Sequence, residues 1–209
     1  MGCHMSRMTR EQSRDLTQQK LREAALKEFA FAGFAGASID RISEAAGFSR
    51  GAFYANYKGK HELMLELMCE MSALEVERWR ELILAHAADS DDFAASVAER
   101  FEAFMQETPW ALFAVEAQLQ ARRDPLFAAR HREYMGYVNQ SIKELLSMSF
   151  QQAGKQLPED LELLGHTFYS LALGLFLSTD PVCPTTGAKA AGAAMARLYS
   201  GLLAPTRGV

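Results

Sequence analysis

The stretch SIDRISEAAGFSRGAFYANYKGKHEL, residues 38–63, decides the fold of this chain. Ser38 suits a helix N-cap, because its hydroxyl can accept a hydrogen bond from a backbone N–H of the first turn. Apolar residues then recur at helical spacing as far as Gly47, which supplies the positive φ that often ends a helix. Ser49 can cap a second short helix. The pattern of helix, glycine turn and helix predicts a helix-turn-helix.

The second short helix is expected to present two different faces. Phe53 and Tyr57 are four residues apart, so both should face the core. Arg50 and Tyr54 then lie on another face of the same helix. An outward Arg and Tyr on a helix after a glycine turn is typical of a helix that enters the major groove of DNA.

This stretch resembles the DNA-binding motif of the TetR family of bacterial transcriptional regulators. The resemblance covers roughly residues 15–75, with the helix-turn-helix at 38–57. The residues in family register include Gly47, Ser49, Arg50, Gly51, Tyr54, Tyr57, Lys60 and Leu63. Asn56 departs from the family's usual His, and Tyr57 replaces its usual Phe. The resemblance implies a three-helix DNA-binding head, a larger helical body that binds an effector, and a homodimer.

The predicted DNA contacts combine groove geometry with this resemblance. Arg50 is the candidate base reader, because its planar fork can pair with guanine O6 and N7. Gly51 and Ala52 are small enough to let the helix backbone approach the duplex, and matching family positions assign phosphates to Tyr54 and Asn56. An exposed Arg or Tyr outside such a motif is more often a solvated or packed surface residue. The full predicted set is Ser38, Ser49, Arg50, Gly51, Ala52, Tyr54, Asn56, Tyr57 and Lys60.

The rest of the chain favours an all-α protein of about nine helices, since it contains no convincing strand, repeat or low-complexity tract. Residues 1–14 are interpreted as a cloning scar followed by a flexible basic arm, with the first helix running over 16–34. Residues 15–75 are interpreted as the DNA-binding domain. Residues 76–209 are interpreted as the effector-binding and dimerisation domain.

The charge distribution is uneven, although the net charge of the 209 residues is only −4. Residues 1–60 hold ten Lys and Arg against six Asp and Glu, while residues 61–209 hold twelve against twenty. A basic end on an acidic body is expected when only that end faces phosphates, although so modest a contrast also arises by chance. The chain shows neither a signal peptide nor a run of about 18 apolar residues, which predicts a cytoplasmic protein without a membrane span.

An apolar effector cavity is predicted in the aromatic-rich region between residues 86 and 179, as the resemblance implies. Any one of these aromatics is more often ordinary core than a pocket residue. The predicted lining is Phe101, Phe104, Met105, Trp110, Phe113, Gln118, His131, Tyr134 and Phe168.

The last two helices are the predicted homodimer interface, because their small residues let helices approach closely. Packing within one subunit would use the same residues, and the family resemblance favours the dimer. The predicted interface residues are Gly165, Ala172, Gly174, Ala190, Ala193 and Ala194.

Two other classes of function compete with a DNA-binding regulator. An enzyme is not indicated, because the chain has no metal-ligand spacing, Gly-rich phosphate loop or nucleophile elbow, and no cofactor is expected. A helical small-molecule-binding protein without a DNA role is the alternative, and a TetR-type activator is a second. The sequence therefore predicts a double-stranded operator and a small effector as partners, with repression as the family's common mode.

Overall fold

The computed structural model describes residues 9–86, 91–107, 110–179 and 184–203, and every regular element within these ranges is an α-helix. The nine helices are α1 Arg10–Gly36, α2 Ile39–Ala45, α3 Arg50–Asn56, α4 Lys60–Ala85, α5 Asp91–Glu107, α6 Trp110–Ala121, α7 Pro125–Gln152, α8 Leu161–Ser178 and α9 Pro184–Leu203. The predicted all-α architecture is confirmed. The chain forms two compact units, residues 1–68 and 69–209, and the division falls within α4.

The first unit is built from α1, α2, α3 and the first turns of α4 around a small aromatic core. Leu21, Ile42 and Phe53 are fully buried, and Tyr57 is 2% exposed. The rings of Phe53 and Tyr57 lie 5.7 Å apart, centroid to centroid. This core fixes how α3 is rotated about its axis, and therefore which of its residues reach solvent.

Helix α1 begins six residues earlier than the sequence interpretation placed it, at Arg10 instead of residue 16. Thr9 and Gln12 form a capping box, in which Gln12 N donates to Thr9 Oγ1 at 3.2 Å and Thr9 N donates to Gln12 Oε1 at 2.9 Å. Such a box satisfies two orphan backbone donors and starts a helix. Residues 10–14 are therefore helical, and the rest of the predicted arm, 1–8, lies outside the described residues.

The predicted end of α1 at Gly33 corresponds to a break in the helix. Gly33 has φ 67° and ψ 168°, after which one further turn reaches Gly36. A positive φ of this kind is readily adopted only by glycine. The break turns the chain toward Ser38 and the start of α2.

The second unit is a helical bundle in which α5 and α9 form the most extensive contact. The two helices pack tightly at Gly192, where an added Cβ would lie 2.4 Å from the carbonyl oxygen of Ala98. Phe93, Val97, Met195 and other buried residues of both helices form the core beside this contact. Helices α6, α7 and α8 pack around it.

Helix α8 differs from the sequence expectation in one respect. Its 18 residues, Leu161–Ser178, are long and apolar enough to cross a membrane by length and composition alone, although no such stretch was expected. Only 17% of these residues are buried within the subunit. A helix that packs in a protein core passes the same test, so this is weak evidence for a membrane span, but α8 does expose apolar surface.

Candidate functional site

The helix-turn-helix is held by caps at the positions that the sequence predicts. Ser38 Oγ accepts from Asp40 N, and Ser49 Oγ accepts from Ala52 N, both at 3.2 Å. Gly47 has φ 78°, and the N–H of Phe48 donates to Ser43 O at 2.8 Å across the turn. Each cap satisfies one backbone donor of the first turn, so α2 and α3 begin at defined residues.

Arg50 and Tyr54 form the exposed face of α3. The Arg50 guanidinium lies over the Tyr54 ring at 5.6 Å and donates to the Tyr54 hydroxyl at 3.4 Å. It also lies 3.3 Å from Asp40 Oδ1 of α2. The bond to Tyr54 and the Asp40 carboxylate raise the pKa of the guanidinium, so it remains cationic. These contacts are long and exposed, so the guanidinium can exchange them for another acceptor at little cost.

Gly51 and Ala52 occupy the first turn of α3 beside Arg50. Gly51 is exposed, and a Cβ added there would have Ser49 Oγ as its nearest neighbour at 3.6 Å, an ordinary van der Waals distance. The protein itself therefore has room for a side chain at residue 51. Any need for glycine must come from something that approaches α3 from outside.

Exchange of Gly51 for alanine distinguishes a need for glycine in the fold from a need for glycine in DNA binding. We expect the free energy of unfolding to stay level or rise by up to about 1 kcal/mol, because alanine favours the helix. Operator affinity should fall at least several-fold, because the added methyl group holds α3 away from the duplex. Thermal unfolding and a fluorescence-anisotropy titration check the two effects. Unchanged affinity would show that the backbone of α3 does not approach DNA closely.

The side chains of two predicted DNA-binding residues, Tyr57 and Asn56, make contacts within the protein instead. Tyr57 is buried, and its hydroxyl donates to Glu66 Oε1 at 3.1 Å. Desolvation and the Glu66 carboxylate raise its pKa to about 12. The Asn56 amide folds back to donate to Ala52 O at 2.8 Å, so it caps α3 from within. A role for Tyr57 as a direct DNA contact is inconsistent with this burial, and the geometry of Asn56 gives no support to a phosphate contact.

Lys60 belongs to the predicted set of DNA contacts, but its ammonium group has a structural role in this geometry. It donates to the carbonyl oxygens of Phe34, Ala35 and Ala37 at 2.7, 3.2 and 3.1 Å. It also lies 4.7 Å from the centre of the Phe34 ring. An ammonium group has three N–H donors, and these three acceptors all lie at the end of α1. Lys60 therefore ties α4 to the α1–α2 turn.

Comparison with known proteins matches these features. Residues 21–67 fit the model of bacterial regulatory proteins of the tetR family. The HTH-type transcriptional repressor AcnR of Corynebacterium glutamicum is 27% identical over 162 residues, which cover 78% of this chain and 80% of AcnR. The chain belongs to the TetR family.

Solved structures extend the match in fold beyond the head. A transcriptional regulator from Rhodococcus sp. RHA1 aligns with a TM-score of 0.67 at 19% identity, covering 91% of this chain and 97% of that one. FadR from Bacillus subtilis, in complex with stearoyl-CoA, aligns with a TM-score of 0.63 at 18% identity, covering 88% and 96%. At these identities the likeness concerns the fold alone. Membership of the TetR family makes the chain a DNA-binding transcriptional regulator and not an enzyme.

The second unit of this TetR-family chain contains an aromatic cavity of about 160 Å³ between α4, α5, α6, α7, α8 and α9. Four of the predicted lining residues border it: Phe101, Phe104, Trp110 and Phe168. Residues that the sequence interpretation missed include Ser72, Glu75, Trp79, Tyr137, Tyr169 and Tyr199. No local signal marks them. Ser72, Glu75 and Trp79 lie on α4 and Tyr199 lies on α9, outside the region of residues 86–179 in which the cavity was predicted.

The other predicted pocket residues do not border the cavity. Met105 belongs to the α5–α9 core, Phe113 is buried on α6, and Gln118 is half-buried. His131 stacks on Phe127 with its ring centroid 6.1 Å away, and burial lowers its pKa. Tyr134 lies behind the wall. Its hydroxyl accepts from Trp110 Nε1 at 3.1 Å and bonds Ser72 Oγ at 2.9 Å, so it links two cavity residues on α6 and α4.

The predicted interface residues of α8 and α9 divide into two groups. Gly165 packs on α7, where an added Cβ would lie 3.6 Å from Ile142 Cγ2, and Ala172 borders the cavity. Both therefore serve packing within the subunit. The other four are exposed: Gly174, Ala190, Ala193 and Ala194. Leu163 and Leu177 of α8 are exposed as well, at 64% and 59%.

Proposed function

We propose that this chain is a homodimeric cytoplasmic repressor that leaves a pseudo-palindromic operator when a small, largely apolar effector fills the cavity of the second unit. The single observation that carries the proposal is the exposed Arg50–Tyr54 pair on a firmly capped α3. The relative AcnR is a repressor, which favours repression over activation.

DNA recognition by α3 follows from the chemistry of its exposed face. The guanidinium of Arg50 can exchange its long bonds to Asp40 and Tyr54 for guanine O6 and N7 in the major groove. The Tyr54 hydroxyl, 47% of that side chain being exposed, is then released to donate to a phosphate. Lys60 is left out of these contacts, because its three donors hold the end of α1.

A dimer is required because one helix of seven residues reads too few base pairs to define an operator. Two copies of α3 on a two-fold axis would reach successive major grooves about 34–36 Å apart. The exposed face of α8 carries Leu163, Gly174 and Leu177, and the exposed face of α9 carries Ala190, Ala193 and Ala194. Apolar and small residues on two neighbouring helices suit close packing against a second copy.

The effector would act through α4. This helix contains Ser72, Glu75 and Trp79 of the cavity wall, and it begins at Lys60, which holds the end of α1. A ligand that fits the cavity in only one arrangement of α4 raises the population of that arrangement. The factor by which operator affinity falls is set by how much more tightly the ligand binds the DNA-incompetent state than the DNA-competent one. FadR binds stearoyl-CoA, a ligand far larger than 160 Å³, so a smaller molecule suits this cavity.

The experiment that tests the proposal measures binding to the DNA upstream of the protein's own gene for the native chain and for Leu163→Glu. We expect two subunits per operator and an affinity that falls steeply with salt, because neutralised phosphates release counterions. Leu163→Glu places a carboxylate in the proposed interface. It should produce a monomer by analytical ultracentrifugation and lower operator affinity at least 100-fold.

The matched control is Leu126→Glu, which introduces the same charge on α7 at a leucine that is 83% exposed. Both leucines are exposed in the subunit, so neither change should alter its thermal stability. Leu126→Glu should leave the dimer and its operator affinity intact. A native protein that is monomeric at high concentration, or that binds upstream and random DNA equally, would refute the proposal.

A further inference from the structure

The cavity of the second unit has an apolar wall with few polar groups. Among the described residues that border it, Glu75 carries the one charged side chain. Trp79, Phe104 and Trp110 are among the aromatic residues that border it. The few polar atoms in such a wall therefore determine which ligand chemistry it accepts.

Glu75 offers an acceptor with an open hydrogen-bonding position. Its residue surface is 7% exposed, and its Oε1 accepts from Arg78 Nη1 at 2.6 Å. Its Oε2 lies 3.4 Å from Arg100 Nη2, but within the described part of the chain it accepts no hydrogen bond. A buried acceptor is less stable without a hydrogen-bond donor, so a ligand that supplies a donor to Oε2 gains affinity.

Tyr169 offers a second open group in the same wall. The residue is 8% exposed, and its hydroxyl has no hydrogen-bond partner among the described residues. Burial raises the pKa of this hydroxyl well above its ordinary value, so it keeps its proton and can donate. The other two buried tyrosines nearby differ, because Tyr134 bonds Ser72 and Tyr199 bonds Ser149.

We infer that the effector is a compact, mostly apolar aromatic molecule without negative charge, which carries one O–H or N–H donor. The ligand's O–H or N–H donates to Glu75 Oε2. If the ligand's polar group is a hydroxyl, its oxygen also accepts a hydrogen bond from the Tyr169 hydroxyl. The inference rests on the proposed function, in which this cavity is the effector site. Beyond the proposed function, it specifies which polar group the effector carries and that the effector is not an anion.

The size and charge of the cavity set the two limits on that molecule. A cavity of about 150 Å³ takes benzene, so 160 Å³ accommodates one ring with a small substituent. A carboxylate ligand would lose its hydration and find no basic side chain among the described lining residues. Arg78 and Arg100 pair with Glu75 but are not part of the wall. An acidic effector is therefore disfavoured.

Three one-ring probes of nearly equal size test the inference by calorimetric titration of the full chain without DNA. They are p-cresol, which has a donor, 4-methylanisole, which has only an acceptor, and p-toluate, which is an anion. We expect p-cresol to bind at least tenfold more tightly than 4-methylanisole, since one hydrogen bond contributes about 1.4 kcal/mol at that ratio. We expect p-toluate to bind more weakly than both.

The variant Tyr169→Phe separates ligand binding from packing. Its hydroxyl has no partner to lose among the described residues, so the melting temperature of the free protein should not fall. Its affinity for p-cresol should fall several-fold, while its affinity for p-xylene, which can neither donate nor accept a hydrogen bond, should stay level. Tyr134→Phe is the control, because loss of its bonded hydroxyl should lower the melting temperature instead.

The inference is overturned if p-toluate binds as tightly as p-cresol, if 4-methylanisole equals p-cresol, or if no probe binds at millimolar concentration. Failure of the repressor proposal gives a different result. In that case p-cresol would still bind the cavity, but the protein would not discriminate upstream DNA from random DNA. The two sets of measurements are therefore independent.

Discussion

Replacement of Arg50 by alanine should weaken operator binding by about two orders of magnitude and binding to random DNA by only a few-fold. A bidentate Arg–guanine contact contributes about 1–3 kcal/mol of discrimination, and a dimer loses two of them. The side chain is 61% exposed and its partners are long hydrogen bonds. The variant should therefore fold as the native protein does. Fluorescence-anisotropy titrations on operator and random duplexes measure both affinities.

The control for Arg50→Ala is Arg132→Ala, which removes the same charge from an exposed position on α7. Loss of net positive charge alone would weaken both proteins equally. If Arg50→Ala lowers the two affinities by the same factor, Arg50 contacts only the phosphate backbone. Specificity would then have to come from other residues of α3 or from the shape of the DNA.

Replacement of Gly192 by alanine should strongly destabilise the second unit, although it adds only one methyl group. The added Cβ would lie 2.4 Å from the carbonyl oxygen of Ala98, a backbone atom that cannot rotate away. Helices α5 and α9 must separate, and such overpacking costs about 1–3 kcal/mol or more. Thermal unfolding followed by circular dichroism should show a lower melting temperature, with weaker ligand binding in the neighbouring cavity.

Gly201→Ala is the matched control for Gly192→Ala, since it makes the same substitution on the same helix. Nothing lies within 4 Å of a Cβ added at Gly201, so this variant should be as stable as the native protein or slightly more stable. Equal melting temperatures for the two variants would contradict the close α5–α9 contact.

The sequence predicted the head well because its signals are local. The caps at Ser38 and Ser49, the positive φ of Gly47 and the burial of Phe53 all depend on residues within a few positions of each other. The early start of α1 was missed although its signal is equally local. Thr9 and Gln12 have the Thr-x-x-Gln spacing of a capping box, and this signal outweighs the polar character of the following residues.

The role of Lys60 was beyond local reasoning. Its partners are the carbonyl oxygens of Phe34, Ala35 and Ala37, more than twenty residues earlier in the chain. A lysine near a DNA-binding helix and a lysine that caps another helix look alike in sequence. Only the packing of α1 against the start of α4 distinguishes them.

The cavity was predicted in the right region but with an incomplete set of residues. Aromatic composition indicated Phe104, Trp110 and Phe168, but which face of a helix borders a cavity depends on how all its neighbours are rotated. Glu75 reads as one of many charged residues on a long helix, and Tyr169 as one aromatic among several. Their importance comes from burial without a full set of hydrogen bonds, which is a property of the folded structure.

Methylation protection with dimethyl sulfate on the operator tests the central claim most directly, because the reagent modifies guanine N7 in the major groove. The account predicts two symmetric sets of protected guanines, separated by about one turn of the double helix. One guanine in each set should regain reactivity with Arg50→Ala. Guanines that stay fully reactive in the native complex, or protection that does not change in the variant, would contradict the account.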